Sequence, residues 1–499
     1  MLEWLTGLRQ GEASIIALLE RTKRGWKIDS TRVTGITANS RQVRPGYIFV
    51  AILGADFDGH DFIPDAIAQG AIAIVGERPN LSLPVLYVPV QSSRAETAEL
   101  AAAFFRQPSH DLKVIGVTGT NGKTSVVFWL THLLRAAGIR CGMVSSVLND
   151  LGGESVAATL TTPESPELQS YLARMRDGGM THAVVEVSSH GIVQHRVDAI
   201  SFHLNILTNI TREHLDFHGT MEQYVAAKAS LFERLAVHAG GAVLNADDFY
   251  FRSVLERLKP SIPVLSYGID SGEIRATIVK SDGWWTKIQL RTPQGEFDVR
   301  LDHPGRYNVY NLLAAVAAAS GLGLSMDRVV EAISTLPPVP GRMQLMPHGA
   351  DAPIVIIDYA HTPDGLLQVL RTVRQWHPQT LWLVFGARGG RDWGKHPQMG
   401  EIAATWADRI VVTSDSPYHD DPTALAESIV SGIIEVDRQR LITVNLDRAS
   451  AIATTIAQAD RHDVVLITGR GPETVQTFGD IRVRAVDSEM VTRALENRR

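Results

Sequence analysis

The sequence has only one cysteine, Cys141, in 499 residues, which excludes an intramolecular disulfide and fits a reducing compartment. It also lacks a long apolar run. Its most apolar windows, such as Leu312–Ser320, are much shorter than the ~20 residues of a membrane-spanning helix. Met1–Gly7 contains no basic segment leading into an apolar stretch, so we expect no signal peptide. These absences predict a cytoplasmic protein that does not insert into membranes.

An excess of positive charge is missing as well. The formal net charge is −6, so the chain offers no general electrostatic attraction for the phosphates of a nucleic acid. Hydrophobic residues make up 44% and charged residues 20%, the balance of a folded protein rather than a disordered one. A chain of this length is long enough for several domains. We therefore expect a multidomain globular protein with no nucleic-acid partner.

Changes of pattern divide the chain into three segments, 1–110, 111–337 and 338–499. The first mixes short apolar runs with turn residues and ends at a linker, Gln107–His110. The second begins with a short buried strand at Lys113–Val117. The third alternates strands and helices, which predicts a doubly wound α/β domain. Its predicted strands are Ile354–Ile357, Leu381–Phe385, Arg409–Thr413, Leu441–Val444 and Val464–Thr468.

A glycine-rich loop joins the first strand of the second segment to a helical pattern at Thr124–Ala137. Glycines let the backbone wrap around phosphates, and the helix N-terminus favours negative charge. Lys123 can reach the terminal phosphates of ATP, and the Thr124 hydroxyl can ligate Mg²⁺. Val117 replaces the first glycine of the strict pattern, so an ordinary tight turn is the alternative. The predicted ATP contacts of the loop are Gly119, Thr120, Asn121, Gly122, Lys123, Thr124 and Ser125.

Three later motifs could complete a metal site near this loop. Glu186 ends a predicted strand, His214 lies in a polar loop, and Lys228 lies on a predicted helix. Mg²⁺ prefers oxygen ligands, so Glu186 suits the ion better than His214. Taken alone, the histidine is more simply a capping or surface residue, and the lysine a solvated helix residue.

The loop motif, with a threonine before it, resembles the nucleotide loop of the Mur ligase superfamily, which also contains folylpolyglutamate synthases. The Glu186, His214 and Lys228 motifs resemble those of the same superfamily, in the same order. The resemblance implies that these residues and Lys123 are catalytic. Thr124, Glu186, His214 and Lys228 would bind Mg²⁺, with the lysine carbamylated to N6-carboxylysine. The further implied ATP contacts are Asn245, Asn308, Arg342 and Asp358.

The first segment carries a resemblance to one branch of this superfamily, the MurE-type ligases. Asn39–Gly46 resembles part of their UDP-binding domain, although the family usually has aspartate where Asn39 stands. Leu160–Pro163 and Gln194–Arg196 resemble the motifs that contact the muramoyl dipeptide. The implied contacts to the UDP-linked substrate are Ser40, Thr161, Thr162, Ser188, Gln194 and Arg196.

The third segment contains the implied amino-acid site. Arg391 resembles the family's amino-acid-binding arginine, and a guanidinium suits the carboxylate of the substrate. Glu473 follows Pro472, which replaces a family histidine, and could hold a distal ammonium group. The implied contacts to the amino acid are Arg391, Asp415, Ser416, Pro417, Tyr418, Gly469 and Glu473.

Tyr418 sets the expected choice of amino acid. Family members that use meso-diaminopimelate carry Asp-Asn-Pro-Arg where this chain has Asp415–Tyr418, and their arginine grips the second carboxylate. Tyr418 has no positive charge, and the acidic His419–Asp421 would suit an amine. We therefore expect L-lysine or L-ornithine rather than meso-diaminopimelate, unless a nearby cation such as Arg388 compensates.

The resemblance implies an ATP-dependent, Mg²⁺-requiring ligase of peptidoglycan synthesis. It would join an amino acid to UDP-N-acetylmuramoyl-L-alanyl-D-glutamate through an acyl phosphate, as a cytoplasmic monomer. The implied fold is an N-terminal UDP-binding α/β domain (1–110), a central P-loop ATPase domain with a mainly parallel sheet (111–337) and a C-terminal Rossmann-like, amino-acid-binding domain (338–499). A folylpolyglutamate synthase is one alternative, which the roughly 110 residues before the loop disfavour. A non-catalytic nucleotide-binding homologue is another, which the intact motifs disfavour.

Overall fold

The structure is a computed structural model that describes residues 33–54, 57–79, 81–235, 240–439 and 442–498. The expectations for Met1–Gly7 and Leu441 lie outside the described residues. Within the described ranges the strands form three large sheets, one in each predicted segment, and a separate two-stranded hairpin. Helices pack on these sheets, so the predicted α/β fold in three parts is confirmed.

The N-terminal sheet is parallel. Ile48 and Val50 face one apolar cluster, whereas Phe49 faces the other, as the two-residue repeat of a strand buried on both faces requires. Its strands, in spatial order, are Gly35–Thr37, Tyr47–Ala51, Ala73–Gly76 and Leu86–Pro89. Its α-helices are Ile63–Ala68 and Ser93–Phe104, and its 3₁₀ helices are Ser40–Gln42, Gly59–Phe62 and, within the predicted linker, Pro108–His110.

The central sheet has eleven strands, parallel in the middle and antiparallel at both ends. The sequence predicted the parallel middle but not the antiparallel ladder from Ile274 to Leu301. In that ladder Thr286–Thr292 alternates strictly between buried and exposed residues, as expected for a sheet with one solvated face. In spatial order the strands are Gly295–Leu301, Thr286–Thr292, Ile274–Ser281, Val264–Gly268, Gly241–Asn245, Phe202–Leu207, Lys113–Thr118, His182–Glu186, Cys141–Val144, Leu148–Asp150 and Ser155–Ala157.

Two helices of the central domain form its main helical layer on one face of this sheet. The glycine-rich loop leads directly into Lys123–Ala136, which packs against Arg306–Gly321. The apolar window Leu312–Ser320 lies inside the second of these helices, buried in the core. Among the described residues, every helix is too short or too polar to cross a membrane. The remaining central helices are Ser165–Asp177, Ser189–Val193, Leu215–His218, Met221–Glu233, Phe251–Leu255 and Met326–Ile333.

The C-terminal sheet is parallel except for its first strand. Four neighbouring strands end at Ile357, Phe385, Val412 and Ile467, so the loops that follow them meet at one edge, where doubly wound folds bind ligands. In spatial order the strands are Gln344–Leu345, Ile354–Ile357, Val464–Ile467, Leu381–Phe385, Arg409–Val412 and Ile442–Val444. The helices are Pro363–Arg374, Lys395–Trp406, Pro422–Val436, Arg448–Gln458 and Asp487–Asn497, and the hairpin strands are Val475–Phe478 and Ile481–Arg484.

Candidate active site

The phosphate loop, Gly119–Ser125, follows a buried strand and requires glycine at two positions. Gly119 and Gly122 have positive φ angles of 149° and 84°. A Cβ atom at Gly122 would lie 2.2 Å from Asn311 Oδ1, so the loop cannot accept a side chain there. The Lys123 ammonium donates hydrogen bonds to two carbonyl groups of the loop, at 2.8 and 3.1 Å. The loop thus presents backbone N–H groups and a helix N-terminus beside the half-buried Lys123 ammonium.

Glu186 lies directly beside this loop and is almost fully buried. Its two carboxylate oxygens lie 3.1 and 3.2 Å from Thr124 Oγ1, and Oε2 accepts a hydrogen bond from Ser146 N at 2.9 Å. Burial lowers the pKa of Lys123, while the charge of Glu186 raises it. The predicted metal ligands Thr124 and Glu186 therefore meet next to the predicted phosphate-binding lysine.

Lys228 is buried behind the same loop. Its ammonium nitrogen donates to Gly119 O at 2.7 Å and lies 4.6 Å from the centroid of the Tyr224 ring. Burial, with a smaller contribution from the charge of Lys123, holds the pKa of Lys228 well below its usual value. The alternative of a solvated helix lysine is therefore wrong, because the side chain is buried.

His214 lies near Tyr224 and Lys228. The centroids of the His214 and Tyr224 rings are 6.4 Å apart. Burial lowers the pKa of His214 far below its usual value, so its imidazole is neutral and its nitrogen is free of a proton for a metal. Its Nδ1 is buried without a hydrogen-bond partner among the described residues.

These donors suit Mg²⁺ only in part as they stand. In the described ranges no group of three or more His, Cys, Asp or Glu side chains forms a ready metal cage. Thr124 and Glu186 supply the hard oxygen atoms that the ion prefers. Lys228 supplies none as an amine and would supply two as a carbamate. The donor set therefore fits Mg²⁺ at Thr124 and Glu186, and at Lys228 once that residue is modified.

Arg342 connects the C-terminal domain to the phosphate loop. Its Nη2 donates to Thr124 Oγ1 at 3.1 Å, and its guanidinium carbon lies 4.3 Å from the centroid of the Tyr359 ring. The nearby Asp358 accepts two backbone N–H groups at 2.7 Å, one of them from Met343. Burial raises the pKa of Asp358, while Arg342 lowers it. Asp358 therefore fastens the segment that bears Arg342.

The two asparagines predicted as ATP contacts outside the loop are both held by the protein. Asn245 Nδ2 donates to Thr208 O at 2.8 Å. Asn308 Nδ2 donates to Pro304 O at 2.7 Å, and Asn308 Oδ1 accepts from Asn311 Nδ2 at 3.1 Å. Asn308 is thus bonded to Asn311, which lies against the phosphate loop at Gly122, and its bond to Pro304 ties it to the turn before its own helix.

Four of the predicted contacts to the UDP-linked substrate form one network beside Glu186. Thr162 Oγ1 donates to Glu186 O at 2.9 Å and accepts from Ser188 N at 2.9 Å. Arg196 Nη1 donates to Thr162 O at 2.9 Å, and Arg196 Nη2 donates to Gln194 Oε1 at 2.5 Å. The strand that supplies Glu186 therefore also anchors these side chains.

The other two contacts lie outside this network. Thr161 is half-buried and directly precedes Thr162. Ser40 is half-buried in the 3₁₀ helix Ser40–Gln42 of the N-terminal domain. In the part of the chain that the structure describes, no hydrogen bond links Ser40 to the central-domain network.

Most residues predicted for the amino acid lie close together in the C-terminal domain. Arg470, which is fully buried, donates Nη1 to Ser416 Oγ at 3.1 Å and lies 3.8 Å from Asp415 Oδ1. Gly469 has a positive φ of 105° and a Cβ atom there would lie 3.1 Å from Asp415 Oδ2, so a side chain would strain the backbone and crowd the carboxylate. Glu473 Oε2 lies 3.9 Å from Arg470 Nη1. We refer to Asp415–Tyr418, Gly469 and Glu473 as the amino-acid pocket.

Tyr418 completes the pocket after the buried Pro417. Its phenol oxygen accepts a hydrogen bond from Arg388 Nη2 at 2.6 Å, and Arg388 Nη1 donates to Glu473 Oε1 at 2.7 Å. The alternative of a nearby compensating cation therefore has a structural basis, because the Arg388 guanidinium lies against the tyrosine. The sequence offered Arg388 as a possible compensating cation, but it could not show this contact, because the contact joins two different loops.

Arg391 lies close enough to the central domain for its charge to act on His190 and His214. Burial lowers the pKa of His190 to about 4, and the charge of Arg391 adds to this shift. Nearby, Lys395 Nζ lies 3.2 Å from Glu213 Oε1, and both side chains are 6% exposed. This buried ion pair joins the two domains, and no sequence signal pointed to it.

Comparison with known proteins agrees with this arrangement. Residues 32–105 match the model described as "Mur ligase family, catalytic domain", 117–319 match the Mur ligase middle domain, and 341–471 match the model described as "Mur ligase, glutamate ligase domain". Together these matches cover most of the chain and correspond to the three sheets of the structure.

Similar proteins carry one recurrent name. UDP-N-acetylmuramoyl-L-alanyl-D-glutamate--2,6-diaminopimelate ligase of Geobacillus thermodenitrificans is 39% identical, over 94% of this chain and 96% of its own. The ligase of that name from Synechococcus elongatus is 38% identical, over 93% and 94%. A solved structure with this name superimposes with a TM-score of 0.64 at 29% identity, covering 95% of this chain and 98% of its own. The chain belongs to the Mur ligase family and is an ATP-dependent ligase of its MurE type.

Proposed function

We propose that the protein adds meso-diaminopimelate to UDP-N-acetylmuramoyl-L-alanyl-D-glutamate, with ATP as the energy source, in peptidoglycan synthesis. The observation that carries this proposal is the name shared by relatives that align over more than nine-tenths of the chain. The expectation of L-lysine or L-ornithine rested on Tyr418 and has no support from these relatives. The alternative, a diaminopimelate ligase with a compensating cation, fits them better.

The site residues divide the reaction between them. The side-chain carboxylate of the substrate's D-glutamate attacks the γ-phosphorus of ATP, giving an acyl phosphate and ADP. The amine of the amino acid then attacks the acyl carbon, and phosphate leaves. Lys123 stabilises negative charge on the transferred phosphoryl group, and Arg342 adds a second positive charge from the C-terminal domain. The remaining loop contacts, with Asn245, Asn308 and Asp358, hold the nucleotide.

Thr124 and Glu186 would hold Mg²⁺, which neutralises phosphate charge during the transfer. His214 would supply a neutral nitrogen to the same ion or to a second one. Lys228 would contribute as a carbamate, formed when its neutral amine adds carbon dioxide and releases a proton. The lowered pKa of Lys228 supports this modification, because only the unprotonated amine is nucleophilic.

The substrate contacts follow the same division. Ser40 would bind the uridine end of the precursor, and the network around Thr162 and Arg196 its muramoyl dipeptide. Arg391 would bind the carboxylate beside the reacting amine. The domains would meet near residues 110 and 337, and the protein would work as a monomer in the cytoplasm.

The direct test incubates purified protein with ATP, Mg²⁺ and UDP-N-acetylmuramoyl-L-alanyl-D-glutamate. Separate reactions contain meso-diaminopimelate, L-lysine or L-ornithine, and each is followed by phosphate release and product mass. Product with meso-diaminopimelate alone is the expected result. Product with only lysine or ornithine would overturn the proposed amino acid but not the ligase reaction.

A further inference from the structure

Arg388 lies where an amino-acid substrate could reach it. Its guanidinium bridges the carboxylate of Glu473 and the phenol of Tyr418, at 2.7 and 2.6 Å. The side chains of Arg388 and Glu473 remain 21% and 22% exposed, so a ligand can contact both. Arg388 Nε is buried and has no hydrogen-bond partner among the described residues. The buried Nε is out of reach of a ligand, but Nη1 and Nη2 each carry a second N–H beyond the two bonds described above.

The backbone around Arg388 is locked to the loop that carries Tyr418. Gly389 N donates to Ser416 O at 3.0 Å, and a Cβ atom at Gly389 would lie 1.8 Å from Pro417 O. Only glycine permits this approach of two loops. Tyr418 N in turn donates to Thr477 O at 3.1 Å. Arg388 and Tyr418 are therefore held in a fixed relation before any ligand arrives.

The charges of this group match a particular chemical class of ligand. Arg388 and Glu473 place a cation beside an anion, which complements a carbon that carries both an ammonium and a carboxylate. The distal end of a diamino dicarboxylic acid is such a carbon, whereas the distal end of lysine carries the ammonium alone. Burial works to lower the pKa of Arg388, but Glu473 and Tyr359 raise it well above its ordinary value. The cation is thus permanent.

We propose that Arg388, steadied by Tyr418, binds the distal carboxylate of the amino-acid substrate while Glu473 binds the distal ammonium. The arginine that the diaminopimelate enzymes carry at the position of Tyr418 is thereby replaced by a cation from a different loop. The inference rests on the proposed function, since it assumes that the substrate has a distal carboxylate. The opposing view is that Arg388 only neutralises Glu473 and has no direct part in selecting the substrate.

Kinetics on the full-length enzyme separate these views. Arg388→Ala is expected to raise the KM for meso-diaminopimelate about 10- to 100-fold, the loss of one charged hydrogen-bonding partner. The KM values for ATP and for the UDP-linked substrate should stay within about twofold. Arg374→Ala is a matched control, because Arg374 pairs with Asp408 in the same domain without contacting the pocket. It should leave the KM for the amino acid unchanged.

A rescue experiment adds a measurement that would not change if Arg388 had only a structural role. The double variant Arg388→Ala/Tyr418→Arg returns a cation to the position where the diaminopimelate enzymes carry it. It should recover much of the lost affinity for meso-diaminopimelate. Tyr418→Phe removes only the phenol that steadies Arg388 and should raise the KM several-fold. If Arg388→Ala folds poorly by thermal melting, Arg388→Lys provides the same test, with a smaller rise in KM expected because the charge is kept.

The outcomes distinguish this inference from the proposed function. If the wild-type enzyme uses meso-diaminopimelate but Arg388→Ala leaves its KM unchanged, the role of Arg388 is overturned while the proposed function stands. A loss toward meso-diaminopimelate in Arg388→Ala that Tyr418→Arg does not rescue would also overturn it, in favour of a structural role. If the wild-type enzyme rejects meso-diaminopimelate altogether, the proposed function itself fails.

Discussion

In the phosphate loop the reactive groups are adjacent in sequence, whereas the charged side chains of the amino-acid pocket come from separate loops. Gly122, Lys123 and Thr124 take their positions from the backbone conformation of one strand–turn–helix unit. Arg388 and Glu473 are 85 residues apart in sequence and meet only in the folded chain. A local sequence motif therefore identifies the phosphate site, whereas the net charge of the pocket can be determined only from the folded structure.

The largest effect is expected in the phosphate loop, where no other residue can take over. Lys123→Ala should lower kcat about 10³-fold or more, because the transferred phosphoryl group loses a preorganised positive charge. Phosphate release at saturating substrates measures this loss. Lys259→Ala, which removes an exposed lysine of the same domain, should leave kcat unchanged. Near-normal turnover of Lys123→Ala would contradict the expectation that no other residue can replace Lys123 in the phosphate loop.

Lys228→Ala is expected to follow, with a loss of about 10²-fold or more as a metal-binding carbamate disappears. Formate or acetate should restore part of the activity, since a small carboxylate can occupy the space of the missing group. Chloride at equal ionic strength should restore none. Full activity of Lys228→Ala without any additive would count against the carbamate.

The buried ion pair Lys395–Glu213 joins the central and C-terminal domains, which carry the phosphate loop and the amino-acid pocket. Breaking the pair tests how far the two sites depend on each other. Lys395→Met leaves the Glu213 carboxylate buried without its cation, a change that costs about 3–5 kcal/mol in comparable sites. We expect kcat/KM for all three substrates to fall together, by about 10- to 100-fold. Lys395→Met/Glu213→Gln should recover part of the loss, because no unpaired charge remains. A loss confined to the amino acid would instead assign Lys395 to the pocket alone.

The smallest effect is expected at a contact between the same two domains that lies outside both sites. Trp284 and Trp376 stack with ring centroids 4.1 Å apart and an interplanar angle of 19°. Such pairs contribute about 0.5–1.5 kcal/mol, so Trp284→Ala should lower kcat/KM less than tenfold. Steady-state kinetics of Trp284→Ala and Lys395→Met, measured in parallel, give the difference between their losses in kcat/KM. An equal loss in the two variants would mean that any weakening of the domain contact has the same effect.

The same contrast explains how much could be predicted from sequence. Thr118–Ser125 was predicted as a strand–turn–helix phosphate loop because every feature of it is local. The central and C-terminal parallel strands were predicted from short apolar runs, but the antiparallel ladder Ile274–Leu301 was missed, because its exposed face makes the pattern less apolar. Lys395 and Glu213 are 182 residues apart, and neither lies in a pattern that signals an ion pair.

The amino-acid preference expected from Tyr418 was limited for the same reason. It was interpreted from Tyr418 and its acidic neighbours along the chain, His419–Asp421, with Arg388 named only as an alternative cation. The cation that matters is Arg388, 30 residues away, and its contact with the phenol depends on two loops packing through Gly389. A substitution that removes charge at one position can therefore be balanced at another, and only the folded chain reveals the balance.

The most direct test of the account is a competition reaction with the wild-type enzyme. Equal concentrations of meso-diaminopimelate, L-lysine and L-ornithine would be mixed with ATP, Mg²⁺ and UDP-N-acetylmuramoyl-L-alanyl-D-glutamate, and the products separated by mass. The account predicts that the diaminopimelate product dominates, because only this substrate satisfies both Arg388 and Glu473. A dominant lysine or ornithine product would contradict it.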